Sequence, residues 1–100
     1  MVMYKLFYTK QALKDLEKLK EANISQKAKS LVDLIRVNPY QNPPRYEKLV
    51  GKLDGVLSRR INIQHRLVYQ VYESPFTEDG IEYLGKIKII RMWTHYDDVR

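Results

Sequence analysis

Residues 10–37 carry two apolar stripes in succession, each at helical spacing, and no other feature of the sequence constrains the fold as much. From Lys10 to Ala22, Leu13, Leu16 and Leu19 with Ala12 recur every three or four residues, while Lys14, Asp15, Glu17, Lys18 and Lys20 fill the other face. Thr9 stands just before them and supplies the hydroxyl of an N-cap. After a break near Asn23, Ala28, Leu31, Val32 and Ile35 form a second stripe over 25–37, and VNPYQNPP stops that helix with asparagine and proline. The two helices form a hairpin, and their charged residues read as a solvated face.

The remaining segments have the two-residue period of strands. MYKLFYT sets Tyr4, Leu6 and Tyr8 against Lys5 and Phe7. SRRINI and RLVYQVY read as strands joined tightly at about Gln64–His65, and IEYLGKIKIIRMWTHY supplies a last long strand. Two stretches read as connections: NPPRYEKLVGKLDGVL, with turns near Gly51 and Asp54–Gly55, and the polar turn ESPFTEDG. The order strand, helix, helix, three strands predicts an α+β fold. An N-terminal strand and a helical hairpin precede an antiparallel three-stranded meander, the helices pack on one face, and the first strand joins the edge or flank.

One hundred residues that are 44% hydrophobic suit a single domain over residues 1–100, with one core. The absence of cysteine removes disulfides and thiolate metal sites, and two histidines alone make a poor zinc site, so neither metal nor cofactor is expected. No apolar run approaches the roughly 20 residues of a membrane span, and MVMYKLFYTK lacks the pattern of a secretory leader, so the expectation is a cytoplasmic protein away from membranes. A net charge of +6 accompanied by eight tyrosines and one tryptophan suits phosphate contacts and base stacking, although a basic soluble surface has the same composition.

Phosphate-binding glycine loops and nucleophile elbows are missing, which leaves acid-base chemistry. RNA cleaves itself when a 2′-hydroxyl attacks the adjacent phosphate. An enzyme helps by taking that proton, stabilising the extra phosphate charge and protonating the departing 5′-oxygen. Carboxylate or imidazole serves as base, arginine matches phosphate oxygens in pairs, and imidazole, with a reference pKa of about 6.5, is a natural acid. Glu47, Arg66 and His95 supply such a set, with Arg59 and Arg60 nearby. These residue types occur in almost any domain of this size, so spacing alone does not settle convergence.

YEKLVGKLDGVLSRRINIQHRLVYQVY followed by RMWTHY resembles the Txe/YoeB family of bacterial toxins, within the RelE superfamily. The matching series runs E-x-L, L-x-G, S-R-R-I, H-R-L-V-Y and a closing HY. The resemblance implies a toxin of a type II toxin–antitoxin system, a metal-independent endoribonuclease that cuts messenger RNA in the A site of the 70S ribosome and so inhibits translation. It implies a YefM-like antitoxin as partner and contact with operator DNA only through the antitoxin complex. A monomer and a homodimer both remain open. The family's catalytic positions fall on Glu47, Arg66, His95 and Tyr96, with Glu47 as base, His95 as acid and Tyr96 stacking on a base. The reverse assignment of acid and base stays open. Arg60, Arg59, Lys48 and Lys52 form the set of RNA-contacting candidates. Arg59 and Arg60 alternate across a strand, so Arg60 is favoured for RNA and Arg59 for support.

Several residues depart from the family pattern or have an ordinary reading. Val50 and Gly51 stand where relatives carry basic or imidazole groups, with Lys48 or Lys52 as substitutes. ESPFTEDGIEYLGK is longer than the family's final hairpin, and DDVR extends past Tyr96, where Asp97 and Asp98 would favour a charged His95. His65 sits at the hairpin turn, to stabilise it or face water, and Trp93 reads as packing. Two other functions fit the basic fold: a gyrase poison of the ParE type, and a ribosome-binding module without catalysis. The set Glu47, Arg66, His95, Tyr96 favours the nuclease.

Overall fold

The computed structural model describes residues 3–49 and 55–94, with Thr94 through its backbone alone. The elements are β1 (Met3–Tyr8), α1 (Lys10–Glu21), α2 (Ser25–Val37), β2 (Tyr46–Lys48), β3 (Val56–Arg60), β4 (Arg66–Tyr72), β5 (Phe76–Glu78) and β6 (Ile81–Thr94). One six-stranded sheet runs β1-β6-β4-β3-β2, with β5 paired to β6 outside that path. The strands β3, β4 and β6 make the expected antiparallel meander. At its flank β1 lies parallel to β6, from Met3 opposite Tyr83 to Tyr8 opposite Ile89.

Thr9 ends β1 and begins α1 with a single side chain. Its Oγ1 accepts the Ala12 N–H at 3.0 Å and donates to the Ile90 carbonyl at 2.9 Å, which caps the helix and ties it to β6. Asn23 makes the break between helices with a positive φ of 61°, a conformation that asparagine tolerates. Ala12, Leu19, Ala28, Val32 and Ile35 are buried against Leu67, Tyr69, Ile87 and Ile89 of the sheet. Each large side chain removed from water there contributes about 1.5–3 kcal/mol. Leu13 is 51% exposed, so the first stripe is narrower than its leucines imply.

Asp15 corrects the reading of α1. Instead of joining the solvated face it is 0% exposed and accepts hydrogen bonds from Arg91 Nε at 2.9 Å, the Met92 N–H at 3.0 Å and Gln11 Nε2 at 3.0 Å. Burial alone would raise its pKa, but those hydrogen bonds together with the Arg91 charge outweigh it and hold the carboxyl below the usual range. The carboxylate thereby fastens α1 to the distal end of β6.

Both stretches read as connections contain short strands. Within the first, Tyr46–Lys48 pairs antiparallel with β3. Within the second, β5 and β6 form a two-residue hairpin on Asp79 and Gly80, whose φ values of 52° and 77° are those of the turn that an Asp-Gly pair favours. The turn between β3 and β4 starts earlier than expected. Asn62 Oδ1 accepts the N–H groups of Gln64 and His65 at 2.9 and 2.7 Å, so residues 61–65 leave the strands.

Alternation divides the sheet. Leu57, Leu67, Tyr69, Ile87 and Ile89 face the helices, whereas Val56 and Val68 form a second cluster with Leu49 and Ile90 on the opposite, helix-free face. That open face carries the residues considered next. Among the described residues, no helix is long and apolar enough to cross a membrane.

Candidate active site

Strand register gathers the charged residues. Glu47 lies opposite Ser58, and Arg60 opposite Arg66, so the two-residue period stands Glu47, Ser58, Arg60 and Arg66 together on the open face. Arg66 donates from Nη2 to Glu47 Oε1 at 3.3 Å and from Nη1 to Ser58 Oγ at 3.3 Å. Both contacts exceed the roughly 2.7–2.9 Å of a tight charge-assisted bond. The Arg66 side chain is 13% exposed and that of Glu47 37%, so the arginine is seated in the sheet while its partner reaches solvent.

A cleft of about 280 Å³ opens here, lined by Pro44, Arg45, Glu47, Arg60 and Arg66. Three guanidinium groups around one carboxylate make a site for an anion with a proton acceptor at its side. Arg45 is not among the residues singled out from the sequence. Its position two residues before Glu47 was the available signal, since that spacing returns a strand to the same face. Among the described residues, no group of three or more His, Cys, Asp or Glu side chains could hold a metal ion.

Arg59 is corrected from the RNA-contacting set. It is 1% exposed and donates from Nε to Tyr69 Oη at 2.9 Å, from Nη1 to the Pro44 carbonyl at 2.6 Å and from Nη2 to the Pro39 carbonyl at 3.0 Å. The guanidinium also lies 4.9 Å from the centre of the Tyr46 ring. Tyr69 donates its own O–H to the Pro39 carbonyl at 2.7 Å. Burial pushes the Tyr69 pKa up to about 12, with Arg59 pulling the other way. A guanidinium enclosed in this way clamps both ends of the 39–44 segment, which leads into the cleft wall, and has no face left for a nucleic acid.

Lys48 is exposed but follows Glu47 on the strand, so it alternates to the other face and does not line the cleft. His65 does not face water. It is 5% exposed and stacks on Trp93, with ring centroids 3.9 Å apart and planes at 20°. Its Nδ1 has no hydrogen-bond partner among the described residues. His95, Tyr96, Asp97, Asp98, Lys52 and the expected turn at Gly51 lie outside the described residues.

A hairpin of helices on one face of a mixed sheet is the fold of the RelE-superfamily toxins. Residues 8–96 match the model of the YoeB-like toxins of bacterial type II toxin–antitoxin systems, and the chain belongs to that family. A YoeB/ParE toxin from Agrobacterium tumefaciens is similar at 28% identity and a TM-score of 0.72, over 92% of this chain and 99% of that one. The toxin of a YoeB–YefM complex from Staphylococcus aureus is 31% identical with a TM-score of 0.68, covering 93% and 98% of the two chains. The Escherichia coli DinJ–YafQ complex matches at 19% identity with a TM-score of 0.71, over 96% and 97%, and shares the fold. Among curated protein sequences none matches.

Proposed function

We propose that the chain is a ribosome-dependent messenger-RNA endonuclease that works without a metal. The observation that carries this reading is the Glu47 carboxylate 3.3 Å from Arg66 in a cleft that Arg45 and Arg60 also line. Glu47 takes the proton from a 2′-hydroxyl, whose oxygen attacks the adjacent phosphorus. Arg66 and Arg60, with Arg45 at the rim, stabilise the doubly charged phosphorane-like state. The phosphorus–oxygen bond to the 5′-oxygen breaks, and that oxygen leaves with a proton from His95. The products are a 2′,3′-cyclic phosphate and a 5′-hydroxyl. His95 is given this role by the family likeness, whose match runs through it over residues 8–96. Tyr96 stacks on a base of the message.

The Staphylococcus aureus relative is complexed with YefM and also occurs as a dimer. By analogy we assign this chain a YefM-like antitoxin, whose acidic character would complement the +6 charge.

The test is to add the purified protein to a translating extract and map message ends. Replacing Glu47 or Arg66 by alanine is expected to lower cleavage about 10²–10³-fold while ribosome binding persists. Intact message under inhibited translation would refute the nuclease and favour a toxin that only occupies the ribosome.

A further inference from the structure

The open face continues past the cleft into a feature that the reaction leaves unused. Alternation along β4 puts Arg66, Val68, Gln70 and Tyr72 on one side, so Tyr72 lies about 20 Å from Arg66 along the same face. There Phe7 of β1, Tyr72 of β4, and Lys86 and Lys88 of β6 line a depression of about 270 Å³. A second depression, bounded by Tyr72, Pro75, Phe76 and Lys86, shares two of these residues and extends the first into a trough.

Its chemistry is cationic and aromatic. Phe7 is 41% and Tyr72 42% exposed. Lys86 Nζ is 5.5 Å from the centre of the Phe7 ring and 5.2 Å from that of Phe76. Lys5, which approaches Phe7 from β1, is neutralised by Glu78. No carboxylate among the described residues pairs with Lys86 or Lys88. Phe76 belongs to the longer final hairpin, so part of this platform comes from the segment in which the sequence departs from its family pattern.

A strand whose scissile phosphate is held by arginines must run out of the cleft, and along β4 the open face leads to unpaired ammonium groups beside flat rings. We propose that this trough is a second RNA-contacting site, which holds the unpaired strand being cleaved on one side of the scissile bond. The proposal rests on the nuclease reading. Lys86 and Lys88 contact successive phosphates, and Phe7 and Tyr72 receive bases, which is how single-stranded nucleic acid is held without sequence preference.

Fluorescence anisotropy with 2′-O-methyl RNA measures binding in the absence of the attacking hydroxyl. A dodecamer, about 40 Å long at a stacked spacing of about 3.4 Å per nucleotide, reaches cleft and trough, whereas a dinucleotide fills only the cleft. The double variant Lys86→Gln, Lys88→Gln is expected to flatten the slope of log K against log salt for the dodecamer by about 1.4, at about 0.7 per phosphate contact. Phe7→Ala is expected to weaken dodecamer binding about tenfold. Dinucleotide binding stays unchanged in both. Undetectable binding of the dodecamer to the wild type at 50 mM salt overturns the proposal, as does an unaltered slope in the double variant. If the double variant loses affinity only for polyglutamate, the trough belongs to an acidic polypeptide. If it loses affinity only for whole ribosomes, the trough belongs to ribosomal RNA. Either result overturns the proposal. Should the trough variants lose dodecamer affinity while the wild-type protein leaves message intact in the extract, the trough stands as an RNA site and the nuclease reading fails.

Discussion

Replacing Asp15 by alanine removes an acceptor from three donors that differ in their access to water. Gln11 is exposed and rehydrates, so its loss costs little. The Arg91 side chain is 26% exposed, which puts the loss of its charge-assisted bond near the lower end of about 1.5–3 kcal/mol. The Met92 N–H is buried at 1% residue exposure, and orphaning it costs about 1–3 kcal/mol. Together these predict a destabilisation of about 3–4 kcal/mol, in the range for breaking a buried pair from one side. Urea unfolding measures it directly. With an m-value of about 1–2 kcal/mol per molar, the midpoint should fall by roughly 1.5–4 M at unchanged slope. The pH dependence adds an independent check. Because the folded-state pKa of Asp15 is depressed, its stabilisation is complete above the unfolded value of 3.8 and is lost as pH falls through the folded value. Asp15→Asn should therefore unfold along a shallower acid limb than the wild type. A midpoint shift below about 0.5 M for Asp15→Ala, or acid limbs that superimpose, would refute the assignment of Asp15 as the fastening between α1 and β6.

Arg59→Met should cost about 3–5 kcal/mol in urea unfolding, because the Pro44 carbonyl loses its donor and Tyr69 Oη its cationic partner. Cleavage per folded molecule should also fall, and Arg59→Lys should restore neither, since one ammonium cannot reach three separated acceptors. In Gly85→Ala the new Cβ would collide with the backbone carbonyl of Tyr72 and press on the Tyr4 ring at 3.3 Å. That overpacking should cost about 1–3 kcal/mol and lower the melting temperature by several degrees, with cleavage per folded molecule unchanged.

The readability of each element from sequence depended on where its stabilisation comes from. Ser25–Val37 and Arg66–Tyr72 have the expected limits because an apolar period is bounded on each side by breaking residues. Tyr46–Lys48 and Phe76–Glu78 escaped because three residues cannot display a period, and their pairing depends on β3 and β6. Asp15 looked solvated because its partner Arg91 is 76 positions away. The same holds for Arg59, enclosed by Tyr69 and by carbonyls 15 and 20 residues distant. At the site, Glu47 and Arg66 were recognisable through the ordered motif series. Their approach to within 3.3 Å follows from two strand registers that composition does not contain. Arg45 needed β2 to be recognised as a strand before its face had meaning.

The parallel pairing of β1 with β6 also sets a clock. Met3 is laid against Tyr83, 80 positions later in the chain, and β6 is the strand on which β1, β4 and β5 all depend. At about 5–20 residues per second, the first strand and the apolar faces of both helices wait about 4–16 s for their partner to be synthesised. Contacts of such long range form slowly even then. Until β6 arrives, the β2–β3–β4 ribbon that carries Glu47 and Arg66 lacks its neighbour on the β4 side. The delay means that the sheet bearing the cleft cannot take its final form before β6 has been synthesised.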